Sequence, residues 1–206
     1  MIEPVTPETD AQRMGREIRE VRKARDVTLA ALSETVGCSL AYLSRIERGT
    51  ARISVELLNA IGTALDVDPA WFFPERGSGG PIEQAHIVRA EARRPLSGLY
   101  TRSTEELGFE DELLSSTLSG GCYLLLSRFA PGRGQPPDKA EGYVFDGEQH
   151  GLVLTGEITL SLGGEDIILR AGDSFSYPST IPHRFRNNID TESTMVWAMT
   201  PIRISW

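Results

Sequence analysis

The spacing of the apolar residues changes partway along the 206-residue chain, and this change limits what the chain can fold into. In the first third, apolar side chains recur every three or four positions, as on the buried face of an α-helix. Beyond residue 81 they alternate with polar side chains, as in a half-buried β-strand. Between the two regions, PERGSGGP (74–81) has the composition of a linker. The sequence therefore predicts two domains, an all-α bundle followed by an all-β domain.

The first region predicts four short helices and a final turn, DPAWFF. Thr28, Ser39 and Ser54 each precede an apolar run, and a hydroxyl there can cap the unpaired amides of the first turn. Gly37 and Gly49 follow predicted helix ends, where a left-handed residue is favoured. The acidic N-terminus has no apolar core, so it does not predict a signal peptide. No apolar run approaches the ~20 residues that a membrane helix needs, and the chain is expected in the cytoplasm, away from membranes.

The second region predicts short strands connected by glycine turns. This pattern favours an antiparallel sandwich or barrel over a βαβ fold. Residues 82–118 carry the weakest signal, and only scattered strands are predicted there. The predicted strands span residues 122–129, 150–156, 157–162, 166–178 and 194–204, with turns at 163–164 and 171–173.

The charge of the chain is unevenly distributed. The whole sequence carries −8, but residues 11–52 hold nine Arg and Lys against five Asp and Glu, which leaves +4 there and −12 elsewhere. A basic island in an acidic protein indicates a local surface for an anion, often nucleic acid. A solvated helix face with spare arginines is the alternative that charge alone leaves open.

Residues 28–49 have the length and glycine placement of a helix-turn-helix, whose second helix enters a major groove of DNA. If the apolar side chains of that helix face the core, a rotation of 100° per residue turns Ala41, Arg45 and Arg48 outward. We assign Arg45 to a guanine edge, and Arg48 and Arg52 to phosphates. The candidate DNA-binding residues are Thr28, Ser39, Ala41, Tyr42, Ser44, Arg45, Arg48 and Arg52.

Residues 12–74 resemble the phage-repressor type of helix-turn-helix, the xenobiotic-response-element family of bacterial regulators. The resemblance lies in IREVRKARDVTLAALSETVGCSLAYLSRIERGTA and SVELLNAIGTALDVDPAWFF. It implies an ion pair between Arg22 and Glu47, so Arg22 is not assigned to DNA. Leu29 stands where some members carry a DNA-reading glutamine, so that contact is not expected. Cys38 lies in the turn, where a small packed side chain is favoured over a redox switch.

GDSFSYPSTIPHRFRN (172–187) has the glycine, proline, histidine and asparagine spacing of the second cupin motif. Anchoring the first cupin motif on Gly156 puts Gln149 at its glutamate position, and Tyr143 and Phe145 at its two histidine positions. The chain resembles cupins over roughly residues 95–203. This resemblance implies a jelly-roll barrel for the second domain.

The residues at the cupin ligand positions argue against a metal. A transition metal needs three or four imidazole or carboxylate ligands, and only His183 remains among the four positions. A phenylalanine cannot ligate, a glutamine is a weak neutral donor, and a tyrosine would have to lose a proton at a pKa of about 10. His150 is next to Gln149 and so faces away on a regular strand. A bulge that brought His150 or Glu148 inward would reverse this expectation of no metal and no cofactor.

The same residues predict a pocket for a small molecule at the barrel mouth, where a few polar groups converge among aromatic ones. A core histidine bonded to backbone is the alternative for His183, and plain core packing is the alternative for the aromatic residue of the last strand. The candidate ligand-binding residues are Tyr143, Phe145, Gln149, His183 and Trp197, and no catalytic residue is assigned.

The sequence thus predicts a ligand-responsive, sequence-specific DNA-binding transcriptional regulator that is not an enzyme. Its expected partners are a double-stranded DNA operator and a small-molecule effector. A homodimer is expected because one recognition helix reads too few bases for a specific site. The resemblance implies repression as the usual mode. The predicted segments are a flexible leader (1–11), the DNA-binding domain (12–74), a linker with the strand that leads into the barrel (75–94) and the cupin domain (95–206).

Two alternatives belong to other classes of protein. One is a helix-turn-helix/cupin metalloenzyme of the iron-dependent oxidase or epoxidase type, which needs two histidines and a carboxylate at the metal. The other is a scaffold whose helix-turn-helix no longer binds DNA. The outward arginines of the second helix count against the scaffold.

Overall fold

Helices form the first domain of the computed structural model. The structure describes residues 8–73, 80–100, 102–118, 120–136 and 141–200. The four predicted helices and the final turn are confirmed, and the turn is a 3-10 helix at Pro69–Phe72. The four helices are α1 (Asp10–Ala24), α2 (Leu29–Thr35), α3 (Leu40–Glu47) and α4 (Val55–Leu65).

The predicted caps and glycine turns of this domain are confirmed. The side chains of Thr28, Ser39 and Ser54 accept hydrogen bonds from backbone amides of α2, α3 and α4. Gly37 and Gly49 both have φ of +68°, which glycine adopts without a steric penalty. A Cβ at Gly49 would also meet the backbone of α1, so this turn has no room for a side chain.

Helix α1 begins earlier than the sequence predicts, inside the expected leader (1–11). Thr9 and Gln12 form a capping box, in which the amide of Thr9 donates to Gln12 Oε1 at 2.9 Å and the amide of Gln12 donates to Thr9 Oγ1 at 3.3 Å. This exchange satisfies two unpaired amides at the helix start. Residues 1–7 of the leader lie outside the described residues.

The segment between the domains also contains helix. Within the described residues of the predicted linker (75–94), α5 (Pro81–His86) is followed by a 3-10 helix at Ala90–Ala92, and a further 3-10 helix lies at Leu96–Leu99. α6 (Thr104–Leu107) precedes the first long strand. None of the described helices is long and apolar enough to cross a membrane.

The second domain is built from antiparallel strands in two sheets, as the sequence predicts for a cupin domain. Within the described residues, the larger sheet has the order β1-β2-β3-β9-β4-β7 and the smaller one β6-β5-β8. The strands are β1 (Arg94–Pro95), β2 (Phe109–Leu113), β3 (Tyr123–Phe129), β4 (Glu148–Thr155), β5 (Glu157–Leu162), β6 (Glu165–Arg170), β7 (Ser174–Pro178), β8 (His183–Arg186) and β9 (Ser193–Thr200).

Three of the described strands were not placed by the sequence, and one predicted segment covers two strands. β1 and β2 lie within residues 82–118, where only scattered strands are predicted. β2 carries three acidic residues, which hide its period of two, and β8 has only four residues. The segment 166–178 forms β6 and β7, which are separated by a turn with Gly172 at φ of +95°. Residues 201–204 of the last predicted strand lie outside the described residues.

Buried carboxylates of α1 join the two domains at what we call the interdomain junction. Glu17 accepts from Arg94 Nη1 at 2.8 Å, and the Arg94 guanidinium lies 3.7 Å from the ring centroid of Trp71. Glu20 accepts from Thr117 Oγ1 and from the backbone amide of Leu118. Burial raises the pKa of Glu17, while Arg94 acts in the opposite direction. These bonds satisfy charges that would otherwise be costly to bury.

Candidate functional site

Helix α3 presents the outer face that the helical period predicts. Leu43 and Ile46 are buried against the other helices. Three side chains on the opposite face are exposed, and two at its edges are half-buried. The exposed residues are Ala41, Arg45 and Arg48, and the half-buried ones are Tyr42 and Ser44.

Hydrogen bonds on this outer face orient some of its polar side chains, whereas one arginine forms none with the described residues. Arg48 Nη1 donates to Ser44 Oγ at 2.5 Å. The hydroxyl of Tyr42 donates to the carbonyl of Arg52 at 2.8 Å, which ties the turn after α3 to the helix. Arg45 lies 5.8 Å from the ring centroid of Tyr42. Among the described residues, the guanidinium of Arg45 has no hydrogen-bond acceptor, so its donors can reach a base edge.

The capping hydroxyls at the two helix starts are also exposed. Thr28 Oγ1 accepts from the amide of Ala31 at 3.1 Å, and Ser39 Oγ accepts from the amide of Tyr42 at 3.2 Å. A capping hydroxyl keeps its own O–H as a donor. Both residues can therefore donate to a DNA phosphate while they cap their helices.

A buried ion pair fixes α3 against α1. Arg22 Nε donates to Glu47 Oε1 at 2.6 Å and Nη2 donates to Oε2 at 3.0 Å, as the family resemblance implies. The two helices also touch directly, because a Cβ at Gly15 would lie 2.2 Å from the carbonyl oxygen of Ile46. Arg22 thus positions the recognition helix and is turned away from its outer face.

In the barrel, Gln149 and His183 are joined by a chain of hydrogen bonds. The hydroxyl of Tyr177 donates to Gln149 Oε1, Gln149 Nε2 lies 2.9 Å from His183 Nε2, and His183 Nδ1 lies 2.9 Å from the carbonyl oxygen of Ile181. A carbonyl can only accept, so Nδ1 carries the proton and Nε2 accepts from the amide. Burial lowers the pKa of His183, which also favours the neutral ring.

Two aromatic residues lie beside this chain. The rings of Tyr143 and Phe145 are nearly parallel, with centroids 6.5 Å apart, and Phe145 lies 5.8 Å from the ring of His183. The hydroxyl of Tyr143 donates to the carbonyl of Pro136. Four of the five predicted ligand-binding residues are thus adjacent, and of these four only Phe145 is more than marginally exposed. We call Tyr143, Phe145, Gln149, Tyr177 and His183 the cupin pocket, after the role that the sequence predicts for this part of the barrel.

Trp197, the fifth predicted residue, belongs to another buried polar group. Its indole Nε1 donates to Ser127 Oγ at 2.6 Å, and Ser127 in turn donates to Asp111. Tyr100 donates to the second carboxylate oxygen. Burial raises the pKa of Asp111 to about 6, while the hydrogen bonds from Ser127 and Tyr100 act in the opposite direction.

Sequence reasoning missed Tyr177 and Asp111. Tyr177 lies two residues after Phe175 on β7, so alternation along a strand would have placed it on the same, inward face. Asp111 alternates with Phe109 and Leu113 on β2, all three of them buried. This alternation on β2 could have been recognised in the sequence, but the acidic composition of the segment outweighed it.

The donor set of the cupin pocket does not fit an iron or zinc ion. His183 Nε2 already accepts from Gln149, and burial raises the pKa of the Tyr177 phenol, which keeps it protonated. His150 is exposed on the other face of β4, where it contacts Glu148 at 3.3 Å and Ser176 at 2.9 Å. Within the described residues, no three His, Cys, Asp or Glu side chains are grouped so that they could hold a metal.

The fold and these sites define the class of protein. A Helix-turn-helix family model matches residues 18–72, and a Cupin domain model matches residues 126–199. The chain carries both domains, and it is a DNA-binding regulator of the helix-turn-helix type.

Three curated proteins show how far this similarity extends. The regulator PuuR of Escherichia coli is 22% identical over 191 residues, which cover 91% of this chain and 94% of PuuR. The regulator y4aM of Sinorhizobium fredii is 33% identical over 81 residues, 36% of this chain and 56% of that protein. Antitoxin PezA of Streptococcus pneumoniae is 30% identical over 118 residues, 52% of this chain and 75% of PezA.

Solved structures with a similar arrangement include proteins of two kinds. One is an HTH_3 family transcriptional regulator from Vibrio cholerae, with 16% identity, 93% of this chain and 98% of that chain covered, and a TM-score of 0.40. Another is the hydroxypropylphosphonic acid epoxidase from S. wedmorenis, with 18% identity, 92% and 97% coverage, and a TM-score of 0.42. These values are too low to assign an activity.

Proposed function

We propose that this regulator binds a palindromic DNA operator as a homodimer, and that a small molecule bound in the cupin pocket controls its affinity for that operator. Repression is the proposed direction of control. The observation that carries the sensing role is the hydrogen-bond chain Tyr177–Gln149–His183, which occupies the position where the cupin resemblance places metal ligands. The protein is proposed to act without a metal and without catalysis.

The outer face of α3 supports the proposed reading of DNA. Arg45 is exposed and has no acceptor among the described residues, so it is the base reader. Arg48 is held by Ser44 near the end of the helix, and Arg52 is exposed in the turn that follows. A guanidinium in these positions can bind a phosphate, which positions the helix without reading sequence. Ala41 leaves room for a base at the start of the helix.

The homodimer follows from the small size of this recognition surface. Eight residues of α3 cannot contact enough base pairs for the specificity that a regulator requires, since single modules read only a few bases. Two copies on half-sites one helical turn apart double the contacts. The α3 helices of the two copies then have to keep a fixed separation, and an effector that changes that separation changes operator affinity.

The cupin pocket favours an effector that is uncharged where it meets the protein. Its polar groups are a neutral imidazole, an amide and phenols. Ser179 is fully buried beside them, and its hydroxyl has no hydrogen-bond partner among the described residues. The backbone of Ser179 accepts from the amide of Phe145, which brings it next to the aromatic pair. A ligand hydroxyl or carbonyl would satisfy the Ser179 hydroxyl.

Two measurements test this proposal. Selection from a random duplex library with the full chain identifies the operator, and fluorescence anisotropy then gives its affinity. A panel of small metabolites is screened for compounds that raise the melting temperature, because a ligand of the folded state stabilises it. A true effector also changes operator affinity, and its effect is lost in Gln149→Ala and His183→Ala. If a compound changes the operator affinity of both variants as much as that of the unaltered protein, it binds elsewhere. That result would contradict the pocket assignment.

A further inference from the structure

A cleft of about 710 Å³ lies between the two domains, beside the interdomain junction. One wall is formed by α1 and the end of α3, and the other by α5 and residues 116–117. The volume is within the range of small-molecule sites. The cleft is lined by none of the residues of the cupin pocket, so it is separate from them.

Arginines dominate the first wall, and they differ in how far their charge is already balanced. Arg16 contacts the carboxylates of three glutamates within 3.3 Å, so it is neutralised inside the protein. The only ion-pair partner of Arg13 among the described residues is Asp10, at 3.8 Å. Arg19 is exposed and, among the described residues, has no ion-pair or hydrogen-bond partner. Arg48 is bound to a hydroxyl and not to a carboxylate.

Acidic residues of the cleft do not cancel these charges. Glu47 lines the cleft, but both of its oxygens are bound by Arg22. Glu8 is bound by Arg16. On the opposite wall, His86 and Ser116 add polar side chains that form no hydrogen bond or ion pair with another described side chain. The charged groups of the cleft that are not balanced by an ion pair are therefore mainly arginines, although the protein has a net charge of −8.

We infer that this cleft binds a small molecule that carries two or more phosphate or carboxylate groups. Guanidinium groups donate paired hydrogen bonds to such oxyanions. Arg13 and Arg19 of α1 receive anionic groups of the ligand on one wall, and His86 and Ser116 receive another on the opposite wall. The ligand class is defined by this chemistry, and phosphate esters and polycarboxylates both satisfy it.

A ligand in this cleft touches both domains and therefore senses their relative arrangement. It binds more tightly to the arrangement that brings the two walls to the correct distance, and so it favours that arrangement. Its effect on operator affinity rests on the proposed function, in which the placement of α3 controls DNA binding. Anion binding itself does not depend on that proposal.

Isothermal titration of the full chain with inorganic pyrophosphate, and separately with citrate, tests the inference in the absence of DNA. We expect saturable binding of one anion per chain. Arg19→Gln and His86→Gln, one from each wall, should each weaken binding by about tenfold, because each removes one charge-assisted contact. Lys23→Gln is the matched control, since Lys23 is exposed on the same helix but does not line the cleft. Circular dichroism verifies the folding of each variant.

The outcomes distinguish a phosphate ester from a polycarboxylate, and they distinguish a ligand site from a surface that binds DNA phosphates. Binding of pyrophosphate alone supports a phosphate ester, binding of citrate alone a polycarboxylate, and binding of both the shared chemistry. Binding of neither anion overturns the inference, as does an equal loss in Lys23→Gln. If Arg19→Gln leaves anion binding unchanged but lowers affinity for any duplex, the arginine serves DNA phosphates and the cleft is not a ligand site. If the anions bind but do not change operator affinity, the site stands and only its proposed regulatory effect fails.

Discussion

Arg22 and Glu47 form a buried, bidentate ion pair that joins α1 to the recognition helix. Removal of one partner leaves the other as an uncompensated buried charge. We expect Arg22→Leu to lower the free energy of unfolding by about 3–5 kcal/mol. The double variant Arg22→Leu/Glu47→Leu should lose clearly less, because no charge is left unpaired. Urea unfolding followed by helical circular dichroism measures both, and equal losses would show that packing of the aliphatic stem dominates.

Arg45 and Arg48 should affect DNA binding in different ways. Arg45→Ala should weaken operator binding by about 1–3 kcal/mol and relax preference at one base pair of each half-site. Arg48→Ala should weaken binding to all sequences alike and reduce the dependence on salt, because it removes a phosphate contact. Anisotropy titrations with the operator and with base-substituted duplexes at several salt concentrations distinguish the two. A uniform loss in Arg45→Ala would reverse the two assignments.

The buried carboxyl of Asp111 should make stability depend on pH. Its pKa is raised to about 6 in the folded protein, from an ordinary value near 3.8, so the folded state binds the proton more tightly than the unfolded state. The contribution of this group to stability is therefore full below pH ~4 and is lost as the pH rises through ~6, and it amounts to about 3 kcal/mol. Denaturant unfolding between these pH values should show this decrease.

Asp111→Asn removes the titrating group and should flatten that decrease, and Asp146→Asn, an exposed carboxyl, serves as the control. The amide can still accept a hydrogen bond from Ser127 or Tyr100. If the slope of stability against pH is the same in Asp111→Asn as in the unaltered protein, another group is responsible for it.

The cupin pocket should leave the protein without a stoichiometric metal. A single histidine, an amide and protonated phenols bind a divalent ion far more weakly than three converging ligands do. We expect elemental analysis of protein produced with ample iron, zinc and manganese to give much less than one metal per chain. Addition of a chelator should leave the melting temperature unchanged. One equivalent of metal per chain, lost in His183→Ala, would instead favour the metalloenzyme alternative.

The local features of the fold could be predicted because a few neighbouring residues determine them. Ser39 caps α3 through its own first turn, and the helical period alone places Arg45 on the outer face. In the barrel, motif spacing and strand alternation were enough to place Gln149 inward and His150 outward. These features require no knowledge of distant parts of the chain.

The features that the sequence did not predict are contacts between distant segments. Glu20 was counted only as one of the five acidic residues of residues 11–52, whereas it is buried and accepts a hydrogen bond from a backbone amide 98 residues further along the chain. Asp111 and Ser127 meet only because β2 pairs with β3, and β2 was not recognised. No local pattern distinguishes a carboxylate that finds such a partner from one that remains in water.

The backbones of α1 and α3 are in direct contact at Gly15, so we expect the two helices to move as one rigid unit. One edge of α1 is attached to the cupin domain through Glu17 and Glu20, and its opposite side carries α3. We therefore expect a rotation of the cupin domain to move α3 together with α1, since no layer of side chains lies between the two backbones at Gly15. A larger residue at this position would have to push α3 away from α1, and we expect it to weaken the coupling between the cupin domain and the recognition helix.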